Sequence, residues 1–165
     1  MSVGSGDSTT KVFLVDDDEV DRLVVERLLH GVDGVALSVF GSGEDALTEI
    51  ASAGCDCLLL DYRMPELDGL EVLDRIRAAD LNVPTIMLTG AGDEEIAVSS
   101  IHRGALDYIS KHKVDREILL TKIETARRVH EAQERARAAE HDLRETVARL
   151  RREIHARESM LGVVS

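Results

Sequence analysis

"KVFLVDDDEVDR", residues 11–22, decides how this chain is read: an apolar run stops abruptly on Asp16, Asp17, Asp18 and Glu19. Like charges held this close repel, and any that are partly buried also lose hydration. Such a cluster is either well solvated or built around something positive. The run from Lys11 to Val15 has the length of a buried strand. The next stretch, "DEVDRLVVERLLHG", places Val20, Leu23, Val24, Arg27 and Leu28 near one helical face, apolar apart from the arginine, and ends on Gly31.

The same alternation continues outward to about residue 114. Short apolar runs recur at "VALSVF" (35–40), "CDCLLL" (55–60), "PTIMLT" (84–89) and "DYIS" (107–110). Between them, "SGEDALTEIASAG" presents Ala46, Leu47 and Ile50, and "DGLEVLDRIRAAD" presents Leu70, Leu73, Ile76 and Arg77. "GDEEIAVSSIHRG" presents Ile96, Ala97, Ser100 and Ile101. Strands and helices joined by short loops predict βαβ units with right-handed crossovers, hence a doubly wound α/β domain around a parallel sheet. Runs such as "CLLL" and "TIML" fit a sheet covered on both faces.

Composition narrows the function classes. The 165 residues are 44% hydrophobic and 32% charged, as in a globular protein with a charged outer surface. A net charge of −12 argues against non-specific binding to nucleic acid or anionic membrane, and 2% aromatics leave few platforms for stacking bases. No apolar run approaches the roughly 18 residues that span a bilayer. The opening "MSVGSGDSTT" (1–10) lacks the basic and apolar regions of a signal peptide and reads as a flexible leader. Cys55 and Cys57 form neither a C-x-x-C motif nor a disulfide framework, which makes a reducing cytoplasm the simplest home. Alternation along one strand predicts both thiols on one face, as small core residues rather than metal ligands.

Ligands of open α/β sheets bind beyond the carboxyl ends of the strands. Those ends carry Asp16 and Asp17, then Asp61 of "LLLDYRMPELDG", Thr89 of "IMLTGAG" and Lys111 of "DYISKHK". Each alone has a plain structural explanation as a helix cap, a turn residue or a surface lysine. Together they predict a site. Three carboxylates form a hard, oxygen-lined cluster suited to Mg²⁺ rather than zinc, with positions left open for phosphate oxygens. A carboxylate can itself attack phosphorus and give an aspartyl-phosphate, and Asp61 is the candidate.

"VFLVDDDEVDR", "LLLDYRMPELDG", "IMLTG" and "GALDYISK", taken in register over residues 11 to about 125, resemble the receiver domain of two-component response regulators. The resemblance implies a flavodoxin-like fold of five strands and five helices with strand order 2-1-3-4-5. It also implies Asp61 as phospho-acceptor from a histidine kinase or phosphotransfer protein. Asp16 and Asp17 would hold Mg²⁺, Asp17 directly and Asp16 through water, with the backbone carbonyl of Arg63 as a further ligand. Thr89 would hydrogen-bond the phosphate, Lys111 would ion-pair with it, and Tyr108 would be the switch aromatic. Asp18 matches no catalytic role and reads as solvated or capping. Two departures stand out. His112 replaces the family's proline after the lysine, where a non-proline cis bond would cost about 3–4 kcal/mol; it reads as an exposed loop residue. Arg63 places a long cation two residues past the acceptor, where it can shield the acyl phosphate.

After about residue 115 the chain is rich in Ala, Glu, Arg and Leu, without proline and without glycine before Gly162. It predicts one continuous helix, or two joined collinearly. A heptad register places Ala126, Gln133, Glu140, Val147, Ile154 and Leu161 at one core position and Val129, Ala136, Leu143, Leu150 and Arg157 at the other. This predicts a coiled-coil linker over 126–165 and a parallel homodimer, with a solvated linking helix as the plainer reading. "ESMLGVVS" at the end resembles the run before the phospho-acceptor histidine of a sensor kinase, which implies a longer hybrid protein. Competing expectations are a Mg²⁺-dependent phosphatase with an aspartyl nucleophile, disfavoured by Arg63 where an acid/base aspartate belongs, and a degenerate receiver used only for docking or dimerisation.

Overall fold

A computed structural model describes residues 8–162. The leader expected over 1–10 thus lies mostly outside the described residues, as do residues 163–165 of the "ESMLGVVS" tail. The elements alternate as the periodicities predict: β1 (Thr10–Val15), α1 (Glu19–Leu29), β2 (Val35–Phe40), α2 (Gly43–Ala53), β3 (Cys57–Asp61), α3 (Gly69–Ala78), β4 (Thr85–Thr89), α4 (Glu94–His102), β5 (Asp107–Ser110) and α5 (Arg116–Met160). The five strands pair in parallel in the order β2-β1-β3-β4-β5.

Every residue of β3 and β4 is buried, as a sheet covered on both faces requires. Phe13, Val15, Leu58, Leu60 and Met87 pack with Ile50 of α2 and Val72 and Ile76 of α3. Val12, Leu14, Leu59, Ile86 and Leu88 pack on the opposite side with Val25 and Leu29 of α1 and Leu119 and Ile123 of α5. Two expectations are corrected here. On α1 the buried residues are Val25 and Leu29, whereas Val20, Leu23 and Val24 of the predicted stripe are exposed. The helix carries apolar residues on two adjoining faces, and the sheet takes only one of them. The two thiols also part company. β3 begins only at Cys57, so Cys55 lies before the strand and joins the α2–α3 side while Cys57 joins the α1–α5 side.

Local capping fixes where most helices start. Asp18 accepts hydrogen bonds from the Val20 and Asp21 amides, Ser42 from that of Asp45, and Asp68 forms a reciprocal capping box with Glu71. Asp115, just before α5, accepts from the Ile118 amide at 2.7 Å. α4 starts at Asp93 with no side-chain cap.

The first part of α5 buries Leu119, Ile123 and Ala126. At the amino ends of the strands the Asp56 carboxylate accepts from the Lys11 amide at 2.7 Å and lies 3.3 Å from His130 Nε2. Residues 131–165 cluster as a unit separate from the sheet domain. Within it Leu143, Val147, Leu150 and Ile154 recur at heptad spacing and all are exposed, while Arg144 pairs with Glu140 one turn away at 2.6 Å. No helix among the described residues is long and apolar enough to cross a membrane.

Candidate functional site

The parallel register pairs Val15 with Leu60 and Asp61 with Leu88. The residues at the carboxyl ends of β1, β3 and β4 therefore emerge side by side. The Asp16 amide still donates to the Phe40 carbonyl, and the Tyr62 amide to that of Leu88. Behind Asp61, α3 approaches so closely that a Cβ on Gly69 would stand 2.5 Å from the Asp61 carbonyl oxygen and 2.7 Å from Met87 Cε. Only glycine fits there without moving the acceptor strand.

Asp16 and Asp61 are buried, Asp17 is exposed, and one oxygen of each lies within 4.8 Å of the others. Lys111 answers the repulsion among them. Its ammonium stands 2.8 Å from Asp16 Oδ2, 2.9 Å from Asp61 Oδ1 and 2.7 Å from Asp21 Oδ2. Burial raises both inward carboxyls above the usual range, with Lys111 opposing. Asp61 is pushed up to about 6, the negative charges of Asp16 and Asp17 adding to the burial. Burial alone would lower the Lys111 ammonium, but its hydrogen bonds to Asp16, Asp21 and Asp61 outweigh that and raise it.

A cleft of about 430 Å³ opens over this cluster, lined by Asp16, Asp17, Asp18, Asp21, Asp61, Arg63, Gly90, Ala91 and Lys111. Of the sequence-predicted residues, Asp16, Asp17, Asp61, Arg63 and Lys111 thus share one cleft. Thr89 is buried at the end of β4, its hydroxyl 3.4 Å from the Ile109 carbonyl, and the cleft lining begins at the next residue, Gly90. Tyr108 lies on β5, 46% exposed and outside the lining. Asp18 turns its side chain to capping α1, leaving its amide to donate to Asp16 Oδ1 at 2.9 Å. His112 is exposed, and no peptide bond among the described residues is cis. Arg63 donates to Asp93 Oδ1 at 2.8 Å.

Sequence reasoning missed two partners. Asp21 sits one helical turn past Asp17, a spacing that was legible but unused. Asp93 holds Arg63 from thirty residues away, and nothing local in the sequence marks that pairing. Chemically, the cluster is an all-oxygen, anionic donor set that already accepts a cationic ammonium at hydrogen-bond distance. Those donors fit a hard divalent cation such as Mg²⁺.

A doubly wound parallel sheet of order β2-β1-β3-β4-β5 with an acidic cluster and a lysine at its carboxyl edge has the architecture of a flavodoxin-like receiver domain. The model of the response regulator receiver domain matches residues 12–124, and the chain belongs to that family. It is 41% identical over 100 residues to the DNA-binding transcriptional regulator NtrC of Salmonella typhimurium, a match covering 61% of this chain and 21% of that protein. It is 32% identical over 113 residues to the response regulator protein TodT of Pseudomonas putida, covering 68% of this chain and 49% of that one. Full-length FixJ from B. japonicum superimposes with a TM-score of 0.70 at 30% identity, covering 86% of this chain and 68% of FixJ. The chain thus spans a fifth to a half of the length of NtrC and TodT. Receiver domains of response regulators are phosphorylated by histidine kinases and generally bind Mg²⁺ at an acidic pocket.

Proposed function

We infer that this chain accepts a phosphoryl group on Asp61 from the phospho-histidine of a kinase or phosphotransfer protein, and passes the change to its C-terminal helix. The observation that carries this reading is the Lys111 ammonium bridging the Asp16 and Asp61 carboxylates at 2.8 and 2.9 Å. Asp61 Oδ attacks phosphorus, the P–N bond of the donor breaks, and the leaving imidazole takes up a proton from solvent. Asp16, Asp17, Asp61 and the Arg63 carbonyl would hold Mg²⁺, which when bound neutralises phosphoryl oxygens. Lys111 holds Asp61 in place before the transfer and offers the phosphoryl group a cation after it. Thr89, one residue from the cleft lining, offers a hydroxyl. The exposed Tyr108 ring is the switch residue that turns inward as Thr89 moves.

The division into a leader (1–10), a receiver (11–125) and a helical coiled-coil linker (126–165) belongs to the same reading. So do a parallel homodimer through Leu143, Val147, Leu150 and Ile154, and a cytoplasmic location. The likeness of "ESMLGVVS" to a kinase lead-in extends it to a hybrid histidine kinase, although the two relatives described above are named as regulators. A phosphatase reading is weaker, because Arg63 stands where the acid/base aspartate would be and its guanidinium is engaged by Asp93. A docking-only receiver would not need a lysine among carboxylates.

The test is incubation with Mg²⁺ and a small phosphodonor such as acetyl phosphate, followed by intact mass and sedimentation of wild type and Asp61→Asn. One added phosphoryl group on wild type alone supports the switch. Turnover of many phosphoesters favours the phosphatase, and no uptake favours the docking module.

A further inference from the structure

Among the helices that open on a polar residue, α4 is the exception. Asp18, Ser42 and Asp68 have extended backbone and turn a side-chain oxygen onto their helices. Asp93 stands at the same position of α4 with φ −97° and ψ 27° and makes no such bond. Its carboxylate is engaged elsewhere: Oδ1 accepts from the Arg63 guanidinium at 2.8 Å, and Oδ2 from the Gly90 amide at 2.8 Å. The Asp93 side chain is 2% exposed and that of Arg63 is 70% exposed. A buried anion therefore depends on a cation that is mostly in solvent and that also borders the Asp61 cleft.

Resting on the reading that Asp61 accepts a phosphoryl group, we propose that Arg63 and Asp93 form a latch. A phosphoryl group on Asp61 draws the guanidinium off Asp93, and the released carboxylate turns to cap α4. A phosphoryl dianion offers a guanidinium more charge and a third acceptor oxygen, so it competes well with one carboxylate. Asp93, once released, has a destination in the orphan amides of the first turn of α4, where aspartate is among the preferred caps. Reaching them takes mainly a rotation of ψ toward the extended values of the other caps. The two arrangements are discrete, and the phosphoryl group favours one of them by differential contact. Val98 and Ile101, exposed on α4, lie on the helix whose first turn is remade. Arg63 and Asp93 are positioning residues in this scheme.

The experiment uses the whole chain, with beryllofluoride and Mg²⁺ as the probe and fluorine NMR to count loaded sites. Amide exchange at Gly90, Glu95 and Ile96 is followed in wild type, Arg63→Gln and Asp93→Asn. In wild type, loading should slow exchange at Glu95 and Ile96 by about fivefold. Arg63→Gln and Asp93→Asn should have that protection before loading, because the guanidinium contact is then lost, only the Gly90 amide still holds the side chain at 93 away from the helix, and asparagine caps as well as aspartate. A merely structural ion pair would give the opposite, with both variants less protected than wild type. Unchanged amides in loaded wild type, or variants that start unprotected, overturn the latch. Wild type that binds no beryllofluoride overturns the reading of Asp61 instead, and the unloaded variants still judge the latch by themselves.

Discussion

Lys111 and Asp21, ninety residues apart in sequence, meet at 2.7 Å at the mouth of the acidic cleft. The contact ties the β5–α5 loop to the first turn of α1. It gives the ammonium a third carboxylate beyond the two at the strand ends. The cluster therefore has its own internal cation, and any metal that enters must share the carboxylates with it.

Removing that cation should expose the cost of the cluster. Lys111→Met leaves Asp16 and Asp61 buried without a counter-charge, and we expect a loss of about 3 kcal/mol in unfolding free energy without metal. Mg²⁺ should restore much of it. Urea unfolding of both proteins with and without Mg²⁺ measures the difference. Equal stabilisation of wild type and variant by Mg²⁺ would contradict competition between ammonium and metal.

Asp61 makes stability fall with rising pH in a defined window. Its carboxyl is raised from 3.8 to about 6 by burial, with the charge of Asp16 adding to it. Between those values the folded state holds more protons than the unfolded one, so its contribution is complete below 3.8 and lost as pH rises through about 6. Asp61→Asn should flatten this slope and be the more stable protein at pH 7, by about 2–3 kcal/mol as an upper bound. Protons and Mg²⁺ compete for the same oxygens in the folded protein, so Mg²⁺ affinity should climb through that window and level off above about 6. Calorimetric titrations across it provide the check.

Gly69→Ala tests the close approach behind the acceptor. In an open helix the change would gain about 1 kcal/mol from propensity. Here the new Cβ meets the Asp61 carbonyl, and a net loss of about 1–3 kcal/mol is expected. Phosphoryl uptake should slow as well, because the strand that carries Asp61 must shift. Denaturation and uptake kinetics on one sample separate the two effects.

The linker makes its own prediction. Leu150→Asp places a charge in the middle of the Leu143–Ile154 stripe, whose side chains are all exposed in the single chain. Sedimentation equilibrium should show wild type as a concentration-dependent dimer and the variant as monomer. Helix content by circular dichroism should fall with it, since a long polar helix gains little stability alone. A wild type that stays monomeric at high concentration would remove the parallel dimer.

Much of the sheet was legible because a buried parallel strand is a short apolar run, and "CLLL" and "TIML" leave little room for another reading. The grouping of the candidate residues was legible for the same reason: four of the five runs, all but the one ending on Phe40, stopped at a residue with chemistry, and parallel strands bring such stops to one edge. Long-range side-chain pairing was not legible. Asp93 looks like an ordinary helix cap in "GDEE", and only the fold brings Arg63 to it. The buried face of α1 was misread because Val20, Leu23 and Val24 compete with Val25 and Leu29 for the sheet, and periodicity alone cannot choose between adjoining apolar faces. The split of Cys55 from Cys57 turned on where β3 begins, a boundary of two residues.

That split gives the domain a pair of built-in reporters. Burial lifts the Cys55 thiol to about 12, with the charge of Asp56 adding to it, and the Cys57 thiol well above its usual range. Both are therefore inert to alkylating reagents until the structure opens. Because the sulfurs lie on opposite sides of the sheet, single-cysteine versions turn alkylation rate into a clock for each layer. One times the loosening of α2 and α3, and the other that of α1 and α5.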